Sequence, residues 1–464
     1  MLQLVIIAVY LAVMVVVGVV SRKKTSGADD FFVAGRKGGV FLIAGSLLAT
    51  IVGGSATVGM AGLGFSRGIT GAWWLLVGSI GLVVLGVFFA KKVRSFGLYT
   101  LPELVSRQYD KQVGLAASIL IVISWVGIIA AQIIASGTIL TVLGMGSPAL
   151  WMILFSIVFI VYAVLGGQRA VIRTDAIQTG IIIGGVFGGL ALVMSRVGGM
   201  QALIDSLPAA HFDFPVSPQF SGYELVSLLL LVGLTYVVGP DMYSRLFCAR
   251  DEKTAKKSVF WAALILVPIA LGITFIGMGA SALFPGIASE QALPVVITQV
   301  LSPVMGGIVL AALLGALMSS ADTCLLSAST IFTVDIMGYF KKSLSPEKTL
   351  AYSRRAIVII GIISVLLALM MKGVISTLLF AYTVYTAGLI LPVIFGFYKD
   401  RFKLTPKGAL AAIIGGGAAA LVSKIAGIPY LDLGSLGISA ALLFIVSFAD
   451  NRKKDKRLDG QGEF

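Results

Sequence analysis

Thirteen apolar runs, each about 17 residues or longer, constrain this chain more than any other feature of its sequence. A helical run of this length matches the width of the hydrocarbon layer of a bilayer. Hydrophobic residues make up 58% of the 464 residues and charged residues 12%, against about 25% charged in soluble domains. We therefore predict an all-α integral membrane protein with about 13 transmembrane helices. The runs cover residues 2–21, 40–65, 71–92, 112–143, 149–165, 174–196, 222–243, 258–284, 303–336, 356–373, 374–397, 408–424 and 432–449.

The distribution of Lys and Arg sets the expected orientation. All but four of the 35 Lys and Arg residues lie in loops that alternate along the predicted topology. The positive-inside rule places such loops in the cytoplasm. We therefore expect a multi-pass protein of the cell membrane with its N-terminus outside and its C-terminus in the cytoplasm. The four exceptions, all on the opposite side, are Arg67, Arg196, Lys372 and Lys424.

Two predicted helices contain helix-breaking residues at membrane depth. Gly53-Gly54 interrupts the first, and Gly239-Pro240 interrupts the second. Such breaks are tolerated only where protein or a watery cavity satisfies the freed backbone groups. Paired interrupted helices are a sequence indicator of a transporter binding site. The alternative is that these glycines, among 55 in the chain, simply allow close helix packing.

Each interrupted helix opens a group of five predicted helices. Because five is odd, the second group starts from the opposite side of the membrane, which makes the two groups an inverted repeat. The expected organisation is an extra transmembrane helix at 1–21, repeat 1 at 40–196, an extracellular loop at 197–221, repeat 2 at 222–397, two C-terminal helices at 398–449 and a cytoplasmic basic tail at 450–464.

Five stretches between about residues 29 and 340 form a recognisable set, namely DDFFVAGRKGG, GLGFSRGITGAWW, GGQRAVIRTDAIQTG, GPDMYSRLFCARDEKTAKKS and SSADTCLLSASTIFTVDI. This set resembles the sodium/solute symporter family, which includes carriers of proline, pantothenate, sugars and sialic acid. The resemblance implies the five-plus-five inverted-repeat fold of the LeuT type, with broken first and sixth core helices. It also implies symport of a small organic solute with sodium.

In this family one sodium ion lies between the first and eighth core helices. The resemblance implies that its ligands here are the carbonyls of Ala49, Val52 and Ala316 and the hydroxyls of Ser319 and Ser320. Sodium prefers hard oxygen ligands, and carbonyls lose their helical donors just before a break. The alternative is that the serines bond back to carbonyls of their own helix, as serines in helices do.

A second cation position in some family members corresponds here to Asp175, Asp322 and Thr323, next to Ser319. Asp322 replaces a hydroxyl of the family pattern with a carboxylate. Two carboxylates at one site either hold a cation between them or keep one group protonated. The first case gives two sodium ions per solute and the second gives one.

We favour one sodium, bound at Ser319 and Ser320, with the two aspartates tuning that site. For Asp175 the sequence leaves a further alternative open, an ion pair with Arg169 or Arg173 at the inner surface.

The residues expected at the solute lie near the two breaks and on two further helices. Tyr236 and Pro240 resemble positions of proline-type carriers, whereas Val232 stands where those carriers have tryptophan, which argues against proline itself. Ordinary helix packing is the alternative for the tyrosines. The full set is Ser55, Ala56, Thr57, Gln132, Tyr236, Pro240, Tyr382 and Tyr385.

Other classes of function fit poorly. The single histidine, His211, falls in an outer loop, so a histidine-based catalytic triad or metal cluster inside the membrane is excluded. The chain has no GxxxxGK[ST] loop for ATP. We expect a sodium-driven symporter of a small organic solute, amino acid or carboxylate favoured, and not an enzyme. A proton-driven symporter and a channel or sensor on the same fold remain alternatives. The bilayer is the expected partner; neither nucleic acid nor an obligate protein partner is indicated.

Overall fold

The computed structural model describes residues 2–23, 28–141, 143–144, 146–341, 345–427 and 431–459, which form helices and two isolated β-bridges. The principal helices are α1 (Leu2–Lys23), α2 (Val40–Ile51), α3 (Met60–Arg67), α4 (Trp73–Val84), α5 (Lys111–Thr141), α6 (Pro148–Val197), α7 (Gly222–Leu228), α8 (Leu234–Val237), α9 (Pro240–Cys248), α10 (Glu252–Leu283), α11 (Pro303–Ile331), α12 (Pro346–Met370), α13 (Val374–Tyr385), α14 (Pro406–Ala426) and α15 (Leu431–Asp459).

The helices agree with a chain that crosses the membrane many times. In the described residues, ten helical stretches are long and apolar enough to span a bilayer. The 50-residue helix α6 bends at Gly167, whose φ of 58° is not helical, so it supplies two of the predicted spans. The apolar helices at Leu2–Met14 and Val40–Ile51 are shorter. Together these segments account for the predicted number of about 13.

The last helix is longer than the sequence pattern predicted. The basic tail was expected to begin at residue 450, whereas α15 continues through Asp459. The reason is that this stretch contains neither glycine nor proline before Gly460, so it carries no stop signal. Residues 460–464 lie outside the described part of the chain.

The first break separates α2 from α3. Val52 leaves the helical conformation, and a π-helical turn begins at Ser55. The freed N–H of Gly54 donates to Gln132 Oε1 on α5 at 2.7 Å. A Cβ atom on Gly53 would lie 2.7 Å from Gln132 Oε1 and still closer to Ser320 Oγ, so the break needs glycine there to fit between α5 and α11.

The second break separates α8 from α9. Val238 and Gly239 are not helical, and Pro240 occupies the first turn of α9, where its missing N–H costs nothing. The Tyr385 hydroxyl, from the end of α13, donates to the carbonyl of Val238. Both interrupted helices therefore have freed backbone groups satisfied by side chains of neighbouring helices, as a break inside a bilayer requires.

The DDFFVAGRKGG stretch ties the start of α2 to the end of α9. The N–H of Gly38 donates to the Cys248 carbonyl and the N–H of Arg250 donates to the Gly38 carbonyl, both at 2.9 Å. Arg36 Nη2 donates to the Gly97 carbonyl at 2.8 Å. The two bonds of Gly38 therefore join the ends of both broken helices.

Replacement of Gly53 by alanine should destabilise the protein. The added Cβ collides with Gln132 and Ser320, and overpacking of this kind costs about 1–3 kcal/mol. Gly180→Ala on α6 is the matched control, because its Cβ meets no atom within 4 Å. Thermal unfolding in detergent should give a lower melting temperature for Gly53→Ala than for Gly180→Ala. Equal melting temperatures would contradict the close approach at the break.

Candidate functional site

A group of oxygen atoms forms where α2 ends against α11. Ser320 Oγ donates to the carbonyl of Thr50 at 2.7 Å and lies 3.2 Å from the carbonyl of Ala316. Ser320 is 3% exposed. Because α2 stops at Ile51, carbonyls of its last turn have no further helical donors. A hydroxyl and several carbonyls thus meet at the first break.

The residues predicted to bind sodium are distributed around this group. Ala49 and Val52 lie on either side of Thr50 in the final turn of α2 and are buried. Ala316 and Ser320 face that turn from α11. Ser319 differs, because its hydroxyl donates to Asp175 Oδ1 at 2.5 Å. The alternative that Ser320 bonds back to its own helix holds only in part. Its hydroxyl lies 3.2 Å from the Ala316 carbonyl of α11, but its shorter bond, at 2.7 Å, is to the Thr50 carbonyl of α2.

Asp175 lies in a second polar cluster, which is fully buried. Arg245 on α9 forms an ion pair with it, with 3.0 Å between Nη2 and Oδ2, and both side chains are 0% exposed. Ser46 on α2 also donates to Asp175. The carboxylate therefore receives bonds from α2, α9 and α11.

The Arg245 guanidinium has acceptors on several sides. Its Nε donates to Ser46 Oγ at 2.9 Å, and its Nη2 donates to Thr50 Oγ1 at 3.1 Å. Nη2 also contacts Thr323 Oγ1, the hydroxyl assigned from sequence to a second cation. A charged side chain buried in this way is stable only when it is paired and hydrogen-bonded.

The structure rules out the alternative in which Asp175 forms an ion pair with Arg169 or Arg173 at the inner surface. Arg169 forms its ion pair with Asp30, at 2.9 Å, whereas Asp175 is paired with Arg245. Sequence reasoning grouped Arg245 with the basic residues of a cytoplasmic loop, but it lies on the half-helix α9 with no exposed surface. Its position five residues after Pro240, inside a broken helix, was the available signal.

Asp322 is a further buried carboxylate on α11, three residues after Ser319. It is 2% exposed, and its Oδ1 atom has no hydrogen-bond partner among the described residues. Among the described residues, no hydrogen bond or ion pair joins it to Asp175 or Arg245. The two carboxylates predicted to share one cation therefore have different surroundings.

A cavity lies between the two breaks and beside the oxygen atoms at the end of α2. Four residues expected at the solute line it, namely Ser55, Gln132, Tyr236 and Tyr382. The other lining residues are Thr50, Ile51, Trp125, Ile128, Thr235, Asp241, Met242, Ser320 and Cys324. Thr50 and Ser320 belong to both the cavity and the oxygen group.

The other four residues expected at the solute lie outside this cavity. Thr57 lines an apolar cavity and its hydroxyl donates to Gly53 at 2.9 Å. Ala56 is fully buried. Pro240 lines a neighbouring cavity. The Tyr385 hydroxyl donates to the Val238 carbonyl at the second break, and its ring packs edge-on against the ring of Trp125.

Among the lining residues that were missed from the sequence are Asp241 and Trp125. Asp241 directly follows the Gly239-Pro240 break, which was the signal that could have found it. Trp125 lies on α5 seven residues before Gln132, two helical turns along the same face. Both residues face the cavity that Gln132 lines.

The family model described as sodium:solute symporter family matches residues 31–416. A sodium/glucose cotransporter of Vibrio parahaemolyticus is 26% identical to this chain, over 93% of the chain and 87% of its own length. A sodium/proline symporter of Salmonella typhimurium is also 26% identical, over 94% of the chain and 92% of its own length.

A solved structure of a Na⁺-coupled sialic acid symporter has a similar fold. The TM-score is 0.82 at 19% identity, and the match covers 96% of this chain and 98% of that one. The likeness confirms the all-helical LeuT-type fold with five-plus-five core helices that the sequence predicted.

A double-mutant cycle should measure the Asp175–Arg245 pair. Asp175→Asn or Arg245→Gln alone leaves one buried charge without its partner, which costs about 3–5 kcal/mol. The double variant removes both charges and should be more stable than at least one single variant. The matched control is the Arg169–Asp30 pair, whose side chains are 28% and 16% exposed, and there we expect smaller losses. Additive effects at Asp175 and Arg245, measured by thermal unfolding, would contradict a coupled pair.

Proposed function

Because the chain belongs to the sodium:solute symporter family, we propose that it couples the inward flux of sodium to the uptake of a small organic solute by alternating access. The family consists of transporters and not of enzymes. The observation that carries the proposal is the group of oxygens at the first break, which shares Thr50 and Ser320 with the cavity. The N-terminus lies outside the cell membrane and the C-terminus in the cytoplasm, as the positive-inside rule requires.

Sodium binds at the end of α2. Its ligands are the carbonyls of Ala49, Val52 and Ala316 and the hydroxyl of Ser320, which are hard oxygens suited to this ion. The Ser319 hydroxyl joins them only by giving up its bond to Asp175. The contact between Ser320 and the Thr50 carbonyl supports this position, because it brings α11 against the freed carbonyls of α2.

One sodium ion accompanies each solute molecule. The second cation position of some family members corresponds to Asp175, Asp322 and Thr323, next to Ser319. Here the guanidinium of Arg245 contacts Asp175 and Thr323. A second cation beside Asp175 would be repelled by the charge of Arg245. The pair therefore supports the single-sodium alternative and assigns Asp175 a role in positioning the helices around the site.

Sodium and solute bind cooperatively. Because Thr50 and Ser320 line the cavity, an ion that holds α2 against α11 also fixes part of the solute pocket. Coupling of this kind is typically about 1–3 kcal/mol, or 5–150-fold in affinity. The membrane potential adds about 2.3 kcal/mol per 100 mV for each net charge moved.

Uptake into proteoliposomes should require an inward sodium gradient. A thermal-shift screen of amino acids, carboxylates, vitamins and sugars, run in sodium and in potassium, identifies the solute to label. We expect its accumulation against a concentration gradient with sodium outside, and none with potassium. Accumulation driven by a proton gradient without sodium would establish proton coupling. Equilibration without accumulation would indicate a channel.

Ser320→Ala should raise the sodium concentration needed for half-maximal uptake by at least about tenfold, which corresponds to about 1.4 kcal/mol. The change removes a hydroxyl ligand and barely alters packing. Ser319→Ala is the matched variant on the adjacent residue. We expect it to change sodium dependence less, because that hydroxyl donates to Asp175. If Ser320→Ala leaves the sodium concentration for half-maximal uptake unchanged, the Ser320 hydroxyl is not a sodium ligand and bonds only within its own helix.

A further inference from the structure

Asp241 gives the cavity a negative charge. It lies in the first turn of α9, directly after the second break. The thirteen lining residues of the cavity include Thr50 and Ser320 at the proposed sodium site, and Asp241 is the only one with a formal charge. A carboxylate at this place must be neutralised by something, because a cavity inside a membrane protein solvates charge poorly.

No basic side chain in the described residues forms an ion pair with Asp241. Their ion pairs join Arg107 to Glu103, Arg169 to Asp30, Arg245 to Asp175, Arg250 to Asp251 and Lys407 to Asp450. Arg245 lies one turn further along α9 and is committed to Asp175. The N-terminal end of α9 favours an anion, which accounts for how the helix tolerates Asp241 there. It supplies only a partial positive charge, so the carboxylate still lacks a full counter-charge.

The rest of the lining suits an organic cation. Trp125, Tyr236 and Tyr382 bring three aromatic rings to the same cavity. Aromatic rings attract ammonium groups, and the attraction is strongest where water is excluded. A carboxylate beside aromatic residues therefore offers both charge pairing and a favourable surface for a substituted amine.

Trp125, one of the lining residues, also carries an unused hydrogen-bond donor. The Trp125 indole N–H has no hydrogen-bond partner among the described residues, although the side chain is 1% exposed. A buried donor left unpaired costs free energy. A solute that carries an acceptor oxygen next to its cationic group would satisfy both this N–H and Asp241.

We infer that the solute carries an ammonium or other organic cationic group that pairs with Asp241, and an acceptor oxygen within reach of Trp125. The inference rests on the proposed function and deepens it. Zwitterionic amino acids and amino alcohols meet both requirements. A plain carboxylate would place its charge against that of Asp241, and a sugar would leave Asp241 unpaired.

Matched probe pairs test the charge requirement. The purified full chain in nanodiscs is titrated with choline against 3,3-dimethylbutan-1-ol and with L-proline against cyclopentanecarboxylate, together with further amino acids and amines; glucose is the neutral control. Melting temperature is read in sodium and in potassium. We expect stabilisation by amine-bearing or ammonium-bearing probes in sodium and none by their uncharged or anionic counterparts. The inference is overturned if no cationic probe binds. It is also overturned if the matched neutral or anionic probe binds as tightly as the cationic one.

Variants then assign the charge requirement to Asp241. Asp241→Asn should weaken the best cationic probe at least tenfold, and Asp241→Glu should retain part of the affinity. Asp213→Asn removes the charge of an exposed carboxylate outside the cavity and should bind the probe as the unaltered protein does. Equal probe affinity in Asp241→Asn and the unaltered protein overturns the inference.

Stabilisation by sodium alone separates this inference from the proposed function. It should persist in Asp241→Asn, because the proposed sodium ligands lie on α2 and α11. If sodium fails to stabilise the unaltered protein, the proposed function fails. If sodium stabilises both proteins and the cationic probe does not distinguish them, only the assignment of Asp241 fails.

Discussion

A guanidinium group buried inside a membrane protein needs a negative charge and several acceptors, because water is not there to solvate it. Arg245 meets this need with the Asp175 carboxylate and with hydroxyls of Ser46, Thr50 and Thr323. These partners lie on α2, α6 and α11, while Arg245 itself lies on α9. The Arg245 side chain thus links both broken helices, α2 and α9, to α6 and α11.

This pair determines what the neighbouring site can do. Asp175 has its positive charge supplied by the protein, so the cation that comes from solution is left with the carbonyls at the end of α2 and the Ser320 hydroxyl. That ion would bridge α2 and α11 beside the cavity. Arg245 also links these two helices, through Thr50 on α2 and Thr323 on α11. In our proposal a movement that opens the first break must weaken one of these links.

Much of the fold could be predicted, because long apolar runs and Gly-Pro breaks act locally along the chain. The break at Gly53-Gly54 followed from the same local patterns, whereas Ser320 was assigned to the sodium site by the family resemblance. Arg245 could not be placed, since a basic residue near the end of a span looks the same in sequence whether it faces solvent or turns inward. Pro240 and Asp241 are adjacent, but only three-dimensional packing decides that Asp241 faces the cavity with Tyr236 while Pro240 lines another.

The number of sodium ions bound per chain tests the central claim most directly. Equilibrium binding of ²²Na⁺ to the purified protein requires no knowledge of the solute. We expect saturation at one sodium per polypeptide, with the same number in Asp175→Asn, because Arg245 takes the place of a second ion. Saturation at two, with one of the two sites lost in Asp175→Asn, would show that Asp175 binds sodium and would contradict the account.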